Sequence, residues 1–123
     1  MNILIADDSK FMRTILKAML NDMGFLDIYE AANGWEAIRK TYMVSPDVIF
    51  MNLVMPEMDG FEASRQILGN DTDAKIIIVT SEDYSKIEHK INEMKIRDCI
   101  TLPINEEKLR AALSDYEGVL EKS

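Results

Sequence analysis

The 123-residue chain is predicted to be one α/β domain, a three-layer, doubly wound, five-stranded parallel sheet. Three observations predict it. Short apolar runs appear without polar alternation, as in strands covered by helices on both faces. Stretches with apolar residues three and four apart lie between them. The two patterns alternate as strand then helix, five times over. That order requires crossover connections, and right-handed crossovers give a doubly wound sheet.

The elements follow in order. Ile3–Ala6 reads as the first strand. Met12, Ile15, Met19 and Met23 then fall on one helical face, where methionines at core spacing serve as gap-fillers. Ile28–Ala31 is a weaker strand, followed by Trp35, Ile38 and Tyr42 as the expected core stripe of the second helix. Val48–Met51 and Ile76–Val79 are the strongest runs. Ile87, Ile91 and Met94 mark the fourth helix. Cys99–Thr101 is a weak fifth strand, and Leu109, Leu113, Tyr116 and Leu120 form the last stripe. Gly24, Gly34, Gly60 and Gly69 punctuate boundaries. The single domain is expected to run over 1–123.

Composition narrows the function. Hydrophobic residues make up 47% and charged residues 29%, ordinary for a globular domain. The net charge of −8 and scattered lysines and arginines oppose binding to nucleic acid or anionic lipid. No apolar run is long enough to span a bilayer. The start, Met1-Asn2-Ile3-Leu4-Ile5, lacks the marks of a signal peptide, and one cysteine forms no internal disulfide. The expected location is therefore the reducing cytoplasm.

In doubly wound sheets the working crevice lies at the carboxyl ends of the strands. Asp7 and Asp8 stand there after the first strand. Asn52 ends the third, followed by Leu53-Val54-Met55-Pro56-Glu57-Met58-Asp59-Gly60. Thr80-Ser81-Glu82 follows the fourth, and Leu102-Pro103 the fifth.

In these residues the chain resembles the receiver domains of two-component response regulators, including the single-domain chemotaxis type, from about Asn2 to about Leu120. The stretch Pro46 to Gly60 is the family's central motif with one change. The resemblance implies a flavodoxin-like sheet of strand order 2-1-3-4-5. It implies Mg²⁺ held by Asp7, Asp8, the side chain at 52 and the Val54 backbone carbonyl. It implies a phosphoryl-accepting aspartate, which here is Asn52, and a phosphate-pairing lysine, which here is Leu102. It implies a switch pair, here Thr80 and Cys99, the latter where an aromatic is usual.

The physics of each departure is direct. An amide oxygen is a poor nucleophile beside a carboxylate. Leucine supplies no charge where a phosphoryl group gains it. Mg²⁺ prefers anionic oxygen, so binding at Asp7, Asp8, Asn52 and Val54 is expected to be weak and vestigial. Three aspartates and a lysine leave two negative charges; Asp7, Asp8, Asn52 and Leu102 leave the same two. Cys99 reads as a small apolar filler and His89 as a solvated surface residue. The expected function is a non-phosphorylatable pseudo-receiver, without catalytic activity, that binds a protein partner. A histidine kinase, an output domain or a second copy of the chain are the candidate partners, and the Lys/Glu-rich stretch from Glu82 to Lys95 is a candidate face. Two alternatives stay open: an ordinary receiver in which only the acceptor was replaced, and a flavin-binding protein on a similar fold. Asp7 and Asp8 oppose the latter, because they repel phosphate.

Overall fold

A computed structural model describes residues 1–71 and 73–114. Its elements are β1 (Asn2–Ala6), α1 (Lys10–Asp22), β2 (Asp27–Ala31), α2 (Gly34–Val44) and β3 (Val48–Asn52). They continue with α3 (Gly60–Asn70), β4 (Ile76–Thr80), α4 (Tyr84–Glu93), β5 (Asp98–Thr101) and α5 (Glu106–Leu113). The five strands pair in parallel in the order β2-β1-β3-β4-β5. Tyr116 and Leu120 of the expected last stripe lie outside the described residues.

The central strands are buried on both faces, and their side chains divide by parity. Leu4, Ala6, Ile49, Met51, Ile76 and Ile78 pack with residues of α2, α3 and α4 in one cluster. Ile3, Ile5, Val48, Phe50, Ile77 and Val79 pack with α1 and α5 in the other. The period of two thus serves two cores at once, which is why the runs show no polar alternation.

Each helix begins at a side-chain cap. Ser9, Asn33, Asp59, Asp83 and Asn105 each accept a hydrogen bond from a backbone N–H in the first turn. These residues stop the chain at the sheet's carboxyl edge and turn it into the next helix, so the caps also frame the loops there.

Two expected core stripes are displaced. In α2, Trp35 and Tyr42 are exposed, at 56% and 62%, and the buried residues are Gly34 and Ala37. The reason is close packing: a Cβ on Gly34 would lie 2.8 Å from the Met58 sulfur. Small residues therefore face inward and the large aromatics face out. In α1, Leu16 and Leu20 are buried, while Met12, Ile15 and Met19 are only half-buried. Met23 is buried but caps the helix rather than belonging to it. β2 is an edge strand that alternates between exposed and partly buried residues up to the buried Ala31, which accounts for its weak apolar signal.

The loop from β3 to α3 folds back over its own strand end. The Gly60 N–H donates to the Leu53 carbonyl at 2.7 Å. A Cβ there would meet the Asn52 carbonyl oxygen at 2.3 Å and the Leu53 Cα at 2.9 Å. Backbone atoms cannot yield as a flexible side chain does. We therefore expect Gly60→Ala to destabilise the fold by about 3 kcal/mol or more in urea unfolding. Gly69→Ala, where nothing lies within 4 Å, is expected to be neutral or to stabilise by up to about 1 kcal/mol through helix propensity. Equal effects at the two glycines would contradict the close approach.

Candidate functional site

β1, β3 and β4 end side by side, and their register brings the polar residues together. Ala6 pairs with Met51 and Asn52 with Val79, so the next residues at the carboxyl edge are Asp7, Asn52 and Thr80. Asp7 is 9% exposed, Asn52 is half-buried and Asp8 is exposed.

Asp7 is held from several sides. Its backbone N–H donates to the Ala31 carbonyl at 3.0 Å. Its Oδ1 accepts from the Ser9 N–H at 2.8 Å. Its carbonyl accepts from Arg13 Nη1 at 2.7 Å, and Arg13 Nε is paired with Glu30 at 3.0 Å. Burial raises the Asp7 carboxyl above its ordinary pKa, and nearby Asp8 raises it further. The Ser9 N–H and the Arg13 charge act in the opposite direction.

The Asn52 side chain points its nitrogen into this acidic pocket. Nδ2 donates to the Val54 carbonyl at 2.8 Å and lies 3.3 Å from both Asp7 Oδ1 and Asp8 Oδ1. The structure thus unites Asp7, Asp8, Asn52 and the Val54 carbonyl. The expectation for Asn52 was an oxygen offered to a metal; here the amide turns its nitrogen toward the acids. Three acceptors surround the amide, so a donor is the group that satisfies them. In this orientation the amide offers Mg²⁺ no oxygen; Asp7, Asp8 and the Val54 carbonyl would hold the ion, with Asn52 joining them only by turning its oxygen inward.

Leu102 turns away from the acids. It packs at the edge of the α1–α5 cluster and lines an open apolar depression with Met12, Ile15, Pro103 and Ile104. Its N–H donates to the Thr80 carbonyl at 2.8 Å, which fixes the backbone while freeing the side chain. Lys108, the first basic residue after it, is engaged by backbone rather than by the acids. Its Nζ donates to the Thr101 carbonyl at 2.7 Å and the Pro103 carbonyl at 2.9 Å.

Thr80 is buried and makes a local turn, its Oγ1 accepting from the Glu82 N–H at 3.0 Å. Cys99 is half-buried against the α2–α4 cluster. Burial, with a smaller effect from Asp98, pushes its thiol up to about 11, which favours the protonated form at neutral pH. His89 is exposed beside Glu93 on α4, at 3.2 Å.

Arg13 and Lys108 do structural work at the site that the sequence argument did not assign. Arg13 carried a readable signal: a basic residue in the first turn of a helix opposes the helix dipole and needs a local partner. Lys108 carried none, because its partners are backbone carbonyls.

Comparison with known proteins agrees with this geometry. The family described as the response regulator receiver domain matches residues 3–114. The chain is 35% identical to the chemotaxis protein CheY of Listeria monocytogenes over 113 residues, 92% of this chain and 95% of that protein. It is 33% identical to CheY of Thermotoga maritima, covering 91% and 93%. Among solved structures, the CheX–CheY–BeF3–Mg²⁺ complex of Borrelia burgdorferi matches with a TM-score of 0.88 and 26% identity, covering 94% of this chain and 88% of that one. Vibrio cholerae CheY4 matches with a TM-score of 0.84 and 27% identity, covering 93% and 96%. On the strength of fold, strand-end residues and these relatives, the chain belongs to the receiver domains of response regulators, the signalling modules of two-component systems.

Proposed function

We propose that this chain, as a single domain over 1–123, is a pseudo-receiver that takes no phosphoryl group at position 52 and signals by binding a protein partner. One observation carries the reading. The residue at the acceptor position is Asn52, and its nitrogen faces Asp7 and Asp8. An attacking group needs an anionic oxygen, and an amide presents none. The second loss compounds the first. Leu102 packs with apolar neighbours, and Lys108 is held by carbonyls, so neither brings positive charge to a phosphoryl group.

The switch residues agree with this reading. Thr80 has a local partner in Glu82, and Cys99 is too small to act as the lever that an aromatic supplies. What remains is the receiver fold with an exposed surface. On α4 only Ile87 and Ile91 are buried, and the rest of the helix presents Lys86, Glu88, Lys90 and Glu93 to solvent. Receiver domains act by contact with kinases and other proteins, and the relative in the CheX complex is one instance. The partner proposed here is a protein of a two-component pathway, a histidine kinase or an output domain, met in the cytoplasm. Among the described residues no helix is long and apolar enough to cross a membrane.

An ordinary receiver altered at one position fits less well. A single replacement of the acceptor accounts for Asn52 and leaves Leu102 and Cys99 unexplained.

Incubation with a small phosphodonor and Mg²⁺, followed by intact mass, tests the reading. The chain is expected to gain no phosphoryl mass, whereas the double change Asn52→Asp, Leu102→Lys is expected to gain a hydroxylamine-sensitive adduct. A hydroxylamine-sensitive adduct on the unaltered chain would overturn the proposal. Amide spectra give a second check. Beryllofluoride with Mg²⁺ is expected to leave Thr80, Cys99 and α4 unshifted, since a ligand moves an equilibrium only through differential affinity. Shifts spreading through those residues would mean that the switch still works.

A further inference from the structure

The acidic pocket is closed upon itself. Val54 O, Asp7 Oδ1 and Asp8 Oδ1 surround a single atom, Asn52 Nδ2, at 2.8, 3.3 and 3.3 Å. A primary amide has two hydrogens for these three acceptors. The short bond to Val54 takes one, and the two carboxylates share the other as a three-centre bond. Exchanging the amide's nitrogen and oxygen would set an oxygen against three oxygens, so the orientation is fixed by its surroundings.

We infer that the Asn52 amide is a built-in substitute for the divalent cation of this site. It gathers the two carboxylates and the Val54 carbonyl that would otherwise meet an ion. This inference rests on the reading of position 52 given above, and it extends that reading from a lost nucleophile to a gained structural donor. Three features support it. The donor occupies the point on which all three oxygens converge. Asp7, the most buried of the acids, accepts at one oxygen, Oδ1, from both the Ser9 N–H and the Asn52 amide, so the amide and the loop backbone hold that carboxylate together. Leu102 leaves the pocket without a lysine, so the amide N–H is the group that answers the two negative charges from within. An ion entering the site must turn the amide over and break its bond to Val54. The pocket therefore resists Mg²⁺ by competition, in addition to having one carboxylate fewer.

The test is thermal unfolding of the full chain and two variants, Asn52→Asp and Asn52→Ala, in EDTA and in MgCl2 up to about 10 mM, at matched ionic strength. The unaltered chain is expected to have the highest Tm in EDTA and to move by less than about 1 °C with Mg²⁺. Asn52→Asp is expected to start lower, because three carboxylates then share the pocket, and to rise by on the order of 5 °C or more as the ion binds. Asn52→Ala is expected to start lower than the unaltered chain and to rise partly. If the unaltered chain rises with Mg²⁺ as steeply as Asn52→Asp, the inference is wrong. It is equally wrong if Asn52→Ala matches the unaltered chain in EDTA. Should a variant fail to fold, the side-chain NH2 resonances of Asn52 in the unaltered chain decide: they are expected to stay in place through the Mg²⁺ titration, and saturating movement below about 1 mM would overturn the substitution. The outcome is separable from phosphorylation. A chain that binds Mg²⁺ but gains no phosphoryl mass loses this inference and keeps the pseudo-receiver reading. A chain that gains the mass yet ignores Mg²⁺ in stability does the reverse.

Discussion

Burial of a parallel sheet on both faces sets the terms for everything else in this molecule. β1, β3 and β4 have almost no exposed side chain, and each of their apolar residues belongs to one of two clusters. A charge placed within such a strand would be desolvated without a partner, at a cost of several kcal/mol on the order of that for any buried ion. Polar chemistry is thereby driven to the strand ends. Asp7 and Asn52 sit one step beyond or at the end of their strands, where water and loop backbone reach them. The same burial fixes their spacing, because a slip of one residue would exchange the two cores. The site is thus precise as a by-product of packing, and its assembly does not depend on the chemistry of the side chains placed there.

That explains which parts were legible in the sequence. The central strands announce themselves by runs such as Ile76 to Val79, because both faces demand apolar residues. The carboxyl-end residues are then found by counting, since Asp7, Asn52, Thr80 and Leu102 follow their runs directly. Helix faces are less legible. Trp35 and Tyr42 have core spacing and core chemistry, yet α2 approaches Met58 so closely that only Gly34 and Ala37 fit. Periodicity gives a helix's spacing but not which of two stripes a neighbour will accept. The caps Asn33, Asp59 and Asn105 were a better signal for the helix starts than the apolar pattern, because a cap's bond is local. The Asn52 orientation was not legible at all. Residue type leaves a primary amide free to present nitrogen or oxygen, and only the three acceptors around it decide.

On the proposed reading, Asn52 and Leu102 are better understood as a pair than separately. In a pocket with three carboxylates, a lysine and a metal balance the charge. With Asn52 in place the acids number two, and the amide already donates to both. A lysine at 102 would then compete with the amide for the same oxygens, paying the entropy of a long side chain for a partner already engaged. Leucine instead adds to the apolar surface of Met12, Ile15, Pro103 and Ile104. Conversely, aspartate at 52 with leucine at 102 would set three like charges together. Adjacent pairs then repel by up to ~4 kcal/mol at about 4 Å and an effective dielectric of about 20. Either single reversal is therefore worse placed than both or neither.

The backbone around Leu102 is held without help from the side chain at that position. The strand end is held by the Leu102 N–H on the Thr80 carbonyl, and the following loop by Lys108 on the carbonyls of Thr101 and Pro103. None of these bonds uses the side chain at 102. Arg13 plays the same part across the sheet, tying the Asp7 carbonyl to Glu30 of β2. The loops that shape the pocket are therefore anchored by groups outside the phosphoryl chemistry. Under the proposed reading, a receiver built this way keeps its surface whatever stands at 52 and 102, because the bonds that anchor these loops do not use either side chain's charge.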